Sequence, residues 1–157
     1  VLRALARINL AATERNTATL RAGLAPGTAF CAVVKARASG HGAVEVARAT
    51  LAGGAEYLAV ATANEAAELR AGGLHDVPVL VLGALSEAEL AIALGADAEL
   101  VAWDERFVEQ LLRTRPQRPV RVHVKLDTGL GRLGTRELGQ ALAVAEAVRA
   151  RDAEGLR

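Results

Sequence analysis

Cys31-Ala32-Val33-Val34-Lys35, followed by Ala36-Arg37-Ala38-Ser39-Gly40-His41-Gly42, is a short apolar run that ends on a lysine and breaks into a glycine-flanked turn. A run this short, without clean polar alternation, reads as a strand covered on both faces, as in parallel sheets. Working outward, the pattern repeats. Strands are predicted over 30–35, 57–61, 78–82, 100–103 and 120–126, and helices over 43–52, 63–71, 87–94, 105–113 and 135–151. Thr62, Ser86 and Asp104 are placed to cap three of the helices, and Gly53, Gly72 and Gly95 fall at helix ends. A strand over 6–10 and a helix over 12–24 are predicted ahead of this series.

Five strand–helix units imply a parallel sheet with right-handed crossovers. An open doubly wound sheet would be complete at this size, whereas a (β/α)8 barrel runs to about 250 residues, so five units would be somewhat over half of one. In either architecture ligands sit at the carboxyl ends of the strands, where Lys35 falls.

The 157 residues are 52% hydrophobic but only 3% aromatic, so much of the apolar content is alanine. Net charge is +1 with scattered basic residues, which excludes a basic stripe for nucleic acid. No apolar stretch approaches the roughly 20 residues of a membrane span. The single cysteine, Cys31, is expected to be a buried thiol, and a cytoplasmic, reducing compartment is expected. Three histidines and one distant cysteine give no metal spacing, so no metal is expected. The sequence has no methionine, even at position 1, and 152–157 reads as a loop leading towards a further strand. The chain is therefore expected to be a fragment of a longer protein, poorly stable and without turnover alone.

A second stretch answers the first. Val122-His123-Val124-Lys125-Leu126-Asp127-Thr128-Gly129-Leu130-Gly131-Arg132-Leu133-Gly134 is again a strand running into a cationic, glycine-rich turn. Alternation puts Val122 and Val124 on one face and Arg121, His123 and Lys125 on the other. If that second face lines a barrel, the three cations need counter-charges, and Asp127 is a candidate. Arg132 can reach a carboxylate or a phenolic oxygen bidentately, or it can be an exposed arginine in a mobile turn. Lys35 has two readings as well, an amine that attacks an aldehyde or a side chain that snorkels into water. Gly40-His41-Gly42 opens a helix whose N-terminus favours an anion. Glu65, Glu68 and Arg70 read as a solvated helix face.

Ala32-Val33-Val34-Lys35-Ala36 with Gly40-His41-Gly42 resembles the lysine segment of alanine racemases that hold pyridoxal 5′-phosphate. The stretch 124–134 resembles the second hallmark of that family, and 58–61, 78–83 and Ile8-Asn9-Leu10 fit in order. The resemblance implies the N-terminal portion of a (β/α)8 barrel, followed by further barrel strands and a β-rich domain, in a homodimeric enzyme. It also implies interconversion of L- and D-alanine for peptidoglycan synthesis.

By the same resemblance Lys35 would hold the cofactor and act as the base on the D-alanine side. Arg132 would contact the cofactor's phenolic oxygen and the substrate carboxylate. Lys125 would be carbamylated and orient Arg132, Val33 and Leu82 would line the cofactor, and Ser39 would help hold its phosphate. The second base would be a tyrosine of the other subunit; Tyr57 stands elsewhere. Two positions depart from the family. Ser39 stands where a tyrosine is usual, and Arg37 replaces a small polar residue. They leave open a non-catalytic barrel that binds the cofactor, while a racemase for another amino acid is a further alternative.

Overall fold

The computed structural model describes residues 3–152 and 155–157. Strands β1 (Cys31–Val33), β2 (Tyr57–Val60), β3 (Val79–Val81), β4 (Leu100–Ala102) and β5 (Val122–Val124) are parallel and adjacent in chain order. Between β3 and β4 the ladder narrows to one bridge, Leu80 with Glu99, held by Val81 N–H to Glu99 O (2.9 Å) and Glu99 N–H to Val79 O (2.8 Å). Helices α1 (Leu10–Ala22), α3 (Ala43–Ala52), α4 (Ala63–Ala71), α5 (Glu87–Gly95), α6 (Glu105–Arg113) and α7 (Leu138–Arg149) alternate with the strands. A short turn, α2 (Lys35–Gly40), interrupts the series directly after β1.

The register divides each strand cleanly. Ala32, Leu58 and Val79 are register partners, as are Leu100 and Val122, and the Leu80–Glu99 bridge sets Leu100 level with Val81; all of these lie on the face that receives the helices. Leu58, Val60, Val79, Val81, Leu100 and Ala102 are buried there against Ala47, Ala63, Ala66, Leu69, Leu90, Ala93 and Leu111. Alanine lets the helices lie close to the sheet, and the leucines supply most of the apolar area removed from water. The helices also approach one another closely: a Cβ on Gly53, at the end of α3, would collide with Glu14 O of α1. The opposite face carries Cys31, Val33, Tyr57, Leu80, Glu99, Arg121 and His123. One barrel wall with a dry outside and a wetter inside is the result.

Three sequence readings need correction here. The strand over 6–10 does not form. Asn9 instead caps α1, its Oδ1 accepting Ala12 N–H at 3.0 Å, and Leu5 and Ile8 stay exposed because residues 3–9 meet no neighbouring strand. Cys31 is exposed on the inner face, although partial burial and then the Glu99 charge push its thiol above the ordinary range. The last helix begins at Leu138, because 126–135 closes a loop first. The segment after α7 does return to the sheet: Leu156 bridges Val120, with Val120 N–H donating to Gly155 O (2.7 Å) and Val122 N–H to Arg157 O (2.7 Å).

Arg70 is likewise no solvated residue. Its Nε donates to Ala96 O (2.8 Å), and its guanidinium nitrogens to Leu74 O, Val77 O (2.8 Å) and Asp97 O (3.1 Å). One planar cation thus satisfies the chain leaving α4 and the chain leaving α5. Arg70→Ala is expected to cost about 2–4 kcal/mol, since it strands several half-buried carbonyls. Arg70→Lys should recover only part, because a point-like ammonium lacks the fork. Urea unfolding of the three proteins measures this; an unchanged midpoint in Arg70→Ala would remove Arg70 from the account.

Candidate active site

Parallel strands deliver Lys35, Ala61, Leu82, Trp103 and Lys125 to the same end of the sheet. Val34 N–H still pairs with Ala59 O (2.8 Å), so Lys35 is the first residue past the β1 ladder. Val33 is 56% exposed on the inner face, a bare apolar floor beneath that lysine. Leu82, half-buried, continues β3 through Leu82 N–H to Val60 O (2.8 Å). Gly83 follows where β2 and β3 close together; a Cβ there would lie 2.3 Å from Ala61 O. Trp103 ends the β4 side and stacks on Phe107, ring centroids 6.4 Å apart.

The segment after Lys35 is unusual. Ala36, Arg37, Ala38 and Ser39 all have φ between 52° and 58°, a left-handed turn made without glycine. Each such residue costs about 1–2 kcal/mol, so the turn must be held from outside. Ala38 N–H donates to Val34 O (2.8 Å) and Gly42 N–H to Arg37 O (2.9 Å). Ala36 N–H donates to Glu65 Oε1 (2.6 Å), while Glu65 Oε2 accepts from Ala61 N–H (2.7 Å) and Thr62 N–H (3.1 Å). Glu65 is therefore no solvated helix residue. Arg37 Nε lies 3.8 Å from Glu68, so its charge is drawn towards α4. Ser39 is exposed at the turn, His41 ends it, and Gly42 is the N-cap of α3.

On the β5 side, Arg121 and His123 face inward as the alternation predicts, but their counter-charge is Glu99. Arg121 Nη1 donates to Glu99 Oε1 (2.9 Å), and His123 Nε2 lies 2.6 Å from Glu99 Oε2. A carboxylate only accepts, so His123 Nε2 carries the hydrogen. The bond to Glu99, then its charge, raises the Arg121 pKa further. Asp127, the sequence candidate for this role, is used elsewhere. Its carboxylate accepts Gly129 N–H (3.1 Å) and Gly131 N–H (3.0 Å) and meets Arg136 Nε at 3.3 Å.

Asp127 thereby ties down the loop that carries Arg132. Asp127 N–H to Thr135 O (2.8 Å) and Thr135 N–H to Lys125 O (3.3 Å) close its base. Gly134, at φ 111°, passes where a Cβ would meet Lys125 O at 3.0 Å. Lys125 is half-buried on the inner side and Arg132 is exposed. The structure thus gathers Val33, Lys35, Ser39 and Leu82 around β1–β3, and Lys125 and Arg132 around β5, along one rim. Among the described residues, Lys35, Lys125 and Arg132 make no side-chain hydrogen bond or ion pair.

Residues 8–157 match the family described as alanine racemase, N-terminal domain. The chain belongs to the alanine racemase family. It is 42% identical over 148 residues to the alanine racemase of Desulforamulus reducens, covering 91% of this chain and 39% of that one. The crystal structure of alanine racemase from E. faecalis superposes with a TM-score of 0.86 at 34% identity, over 91% of this chain and 39% of the other. The Streptomyces coelicolor A3(2) alanine racemase gives 0.84 at 36% identity, over 94% and 39%. The wall described above is accordingly part of a (β/α)8 barrel. The chain spans about two-fifths of the length of these relatives.

Backbone hydrogen bonds from Gly131 and Gly129 hold the Asp127 carboxyl below the usual range. A depressed folded-state pKa gives stability that is complete above the unfolded value, about 3.9, and is lost as pH falls through the folded value. The Arg132 loop should therefore loosen in acid below about pH 4. Amide exchange at Gly129 and Gly131 should accelerate there, and Asp127→Asn should already be loose at neutral pH. Equal protection in the variant and the parent would contradict the assignment.

Proposed function

We propose that the protein to which this chain belongs is a pyridoxal 5′-phosphate-dependent alanine racemase that interconverts L- and D-alanine. One observation carries the reading: three cationic side chains, Lys35, Lys125 and Arg132, share a rim without internal counter-charges, while Arg37, Arg121 and Arg136 nearby are all paired. A rim of that kind suits a ligand that brings a carbonyl, a phosphate and a carboxylate. The donor set fits the cofactor: an amine for its aldehyde, an apolar floor at Val33 and Leu82 for its ring, and a hydroxyl at Ser39 for its phosphate.

When bound, the cofactor supplies a sink for the electrons left at the amino acid's Cα as its proton departs. Lys35 holds the cofactor through its amine and takes or returns that proton on one face. Arg132 binds the substrate carboxylate and the cofactor's phenolic oxygen with a planar fork. Lys125 would take up carbon dioxide on its neutral amine with loss of a proton, and the carbamate so formed would replace its positive charge with a negative one that orients Arg132. The opposite face needs a second base, which we assign to a tyrosine from the other subunit of a homodimer. The remaining barrel strands and a β-rich domain complete the enzyme, which we place in the cytoplasm at the supply of D-alanine for peptidoglycan. Among the described residues no helix is long and apolar enough to cross a membrane.

Borohydride reduction of the full-length protein with bound cofactor should leave a pyridoxyl label on Lys35, located by peptide mass spectrometry. Lys35→Ala should carry none and lose alanine racemisation by several orders of magnitude, as expected when a nucleophile and base is removed. A label elsewhere, or retained turnover, would sink the reading. Ser39→Tyr lengthens the reach of the hydroxyl and should tighten cofactor binding by about tenfold, the value of one good hydrogen bond. An unchanged dissociation constant in a fluorescence titration would remove residue 39 from the phosphate grip.

A further inference from the structure

Glu65 does more than cap its helix. In a capping box the carboxylate at N3 returns one bond to the N-cap N–H, as Glu65 does with Thr62. Here the same carboxylate also accepts Ala61 N–H (2.7 Å) and, 29 residues back in sequence, Ala36 N–H (2.6 Å). Two consecutive strand ends, those of β1 and β2, are thus tied to one anion. Ala36 N–H belongs to the peptide that leaves Lys35, so this bond anchors the backbone on the carboxyl side of Lys35, as Val34 N–H to Ala59 O anchors it on the other, and the Lys35 Cα is held between the two. The Glu65 bond also holds the first residue of the left-handed turn, the place where that turn has to depart from the strand.

We propose that Glu65 is a positioning residue for Lys35: its carboxylate, through the Ala36 N–H, holds in place the backbone from which the Lys35 side chain leaves the end of β1. The inference rests on the reading of Lys35 as the cofactor-bearing base. Glu65 touches neither cofactor nor substrate. It acts through one backbone peptide, and charge-assisted bonds of this kind are short and directional. Glutamine in its place has a single acceptor oxygen and an NH2 that would face a backbone N–H. It can serve α4 or Ala36, not both.

The test compares full-length parent, Glu65→Gln, Glu65→Asp and Thr62→Ala. Thr62→Ala removes the reciprocal cap and leaves the carboxylate, so it reports what helix capping alone is worth. Glu65→Gln should lower kcat for alanine about 10- to 100-fold with KM changed much less, the penalty of a slightly misplaced reacting group. It should also slow borohydride-trapped labelling of Lys35 and release exchange protection in the 35–40 peptide. Thr62→Ala should keep kcat near the parent value despite a lowered Tm. Should Glu65→Gln not fold, Glu65→Asp keeps the charge but is a methylene too short to span both contacts, and should show the same kcat loss. Parent-like kcat and labelling in the glutamine or aspartate variant, or losses that merely follow Tm in all three, would overturn the proposal. Because exchange at Ala36 needs no cofactor, an unlabelled parent with a protected 35–40 segment would count against the racemase reading alone.

Discussion

A sheet of parallel strands joined by helical crossovers brings every strand's carboxyl end to the same side, and here that geometry collects the chemistry. Lys35, Leu82 and Lys125 lie far apart in sequence, yet each is the first or second residue beyond its strand ladder. The register also sorts the side chains. One face of each strand meets alanine-rich helices and is dry; the other is left for Val33, Glu99, His123 and their neighbours. Nothing about the site could be assembled if the register slipped by one residue, since that would exchange the two faces.

Charge is handled differently at the two levels of the inner face. Deeper in, Glu99 is buried and answers Arg121 and His123 with short bonds, so these two side chains belong to the wall. An unpaired charge at that depth would be costly. At the rim, Lys35, Lys125 and Arg132 are left without internal partners, where water can reach them. Pairing below keeps the barrel wall stable, and the unpaired groups above are the ones that the racemase reading assigns to a ligand.

Much of this was legible in the sequence. The five strands and most helices follow from apolar periodicity, and the inward row Arg121, His123, Lys125 follows from simple alternation. The misreadings share a cause, which is that they concern long-range partners. Glu65 and Arg70 look like surface residues of a helix until the chain after β1 and the loops after α4 and α5 are placed against them. Glu99 lies 22 residues before Arg121, whereas Asp127 lies beside it, so proximity in sequence favoured the wrong carboxylate. The left-handed turn at 36–39 contains no glycine and sends no local signal at all. Its capping contacts, not its residue types, make it possible.

That last point bears on the two departures from the family pattern. In a turn whose backbone is held by Glu65 and by bonds to Val34 and Gly42, the direction of each side chain is set before its identity matters. On the racemase reading, Ser39 therefore differs from the family's tyrosine mainly in reach. Arg37 is drawn to Glu68 rather than left at the rim, so it adds little to the positive field there. On the racemase reading, the shorter reach of Ser39 shifts the burden of anion binding to Arg132. Among the described residues, Asp127 is the acid whose carboxylate bonds the loop bearing Arg132, which couples the order of that loop to the ionisation of one carboxylate.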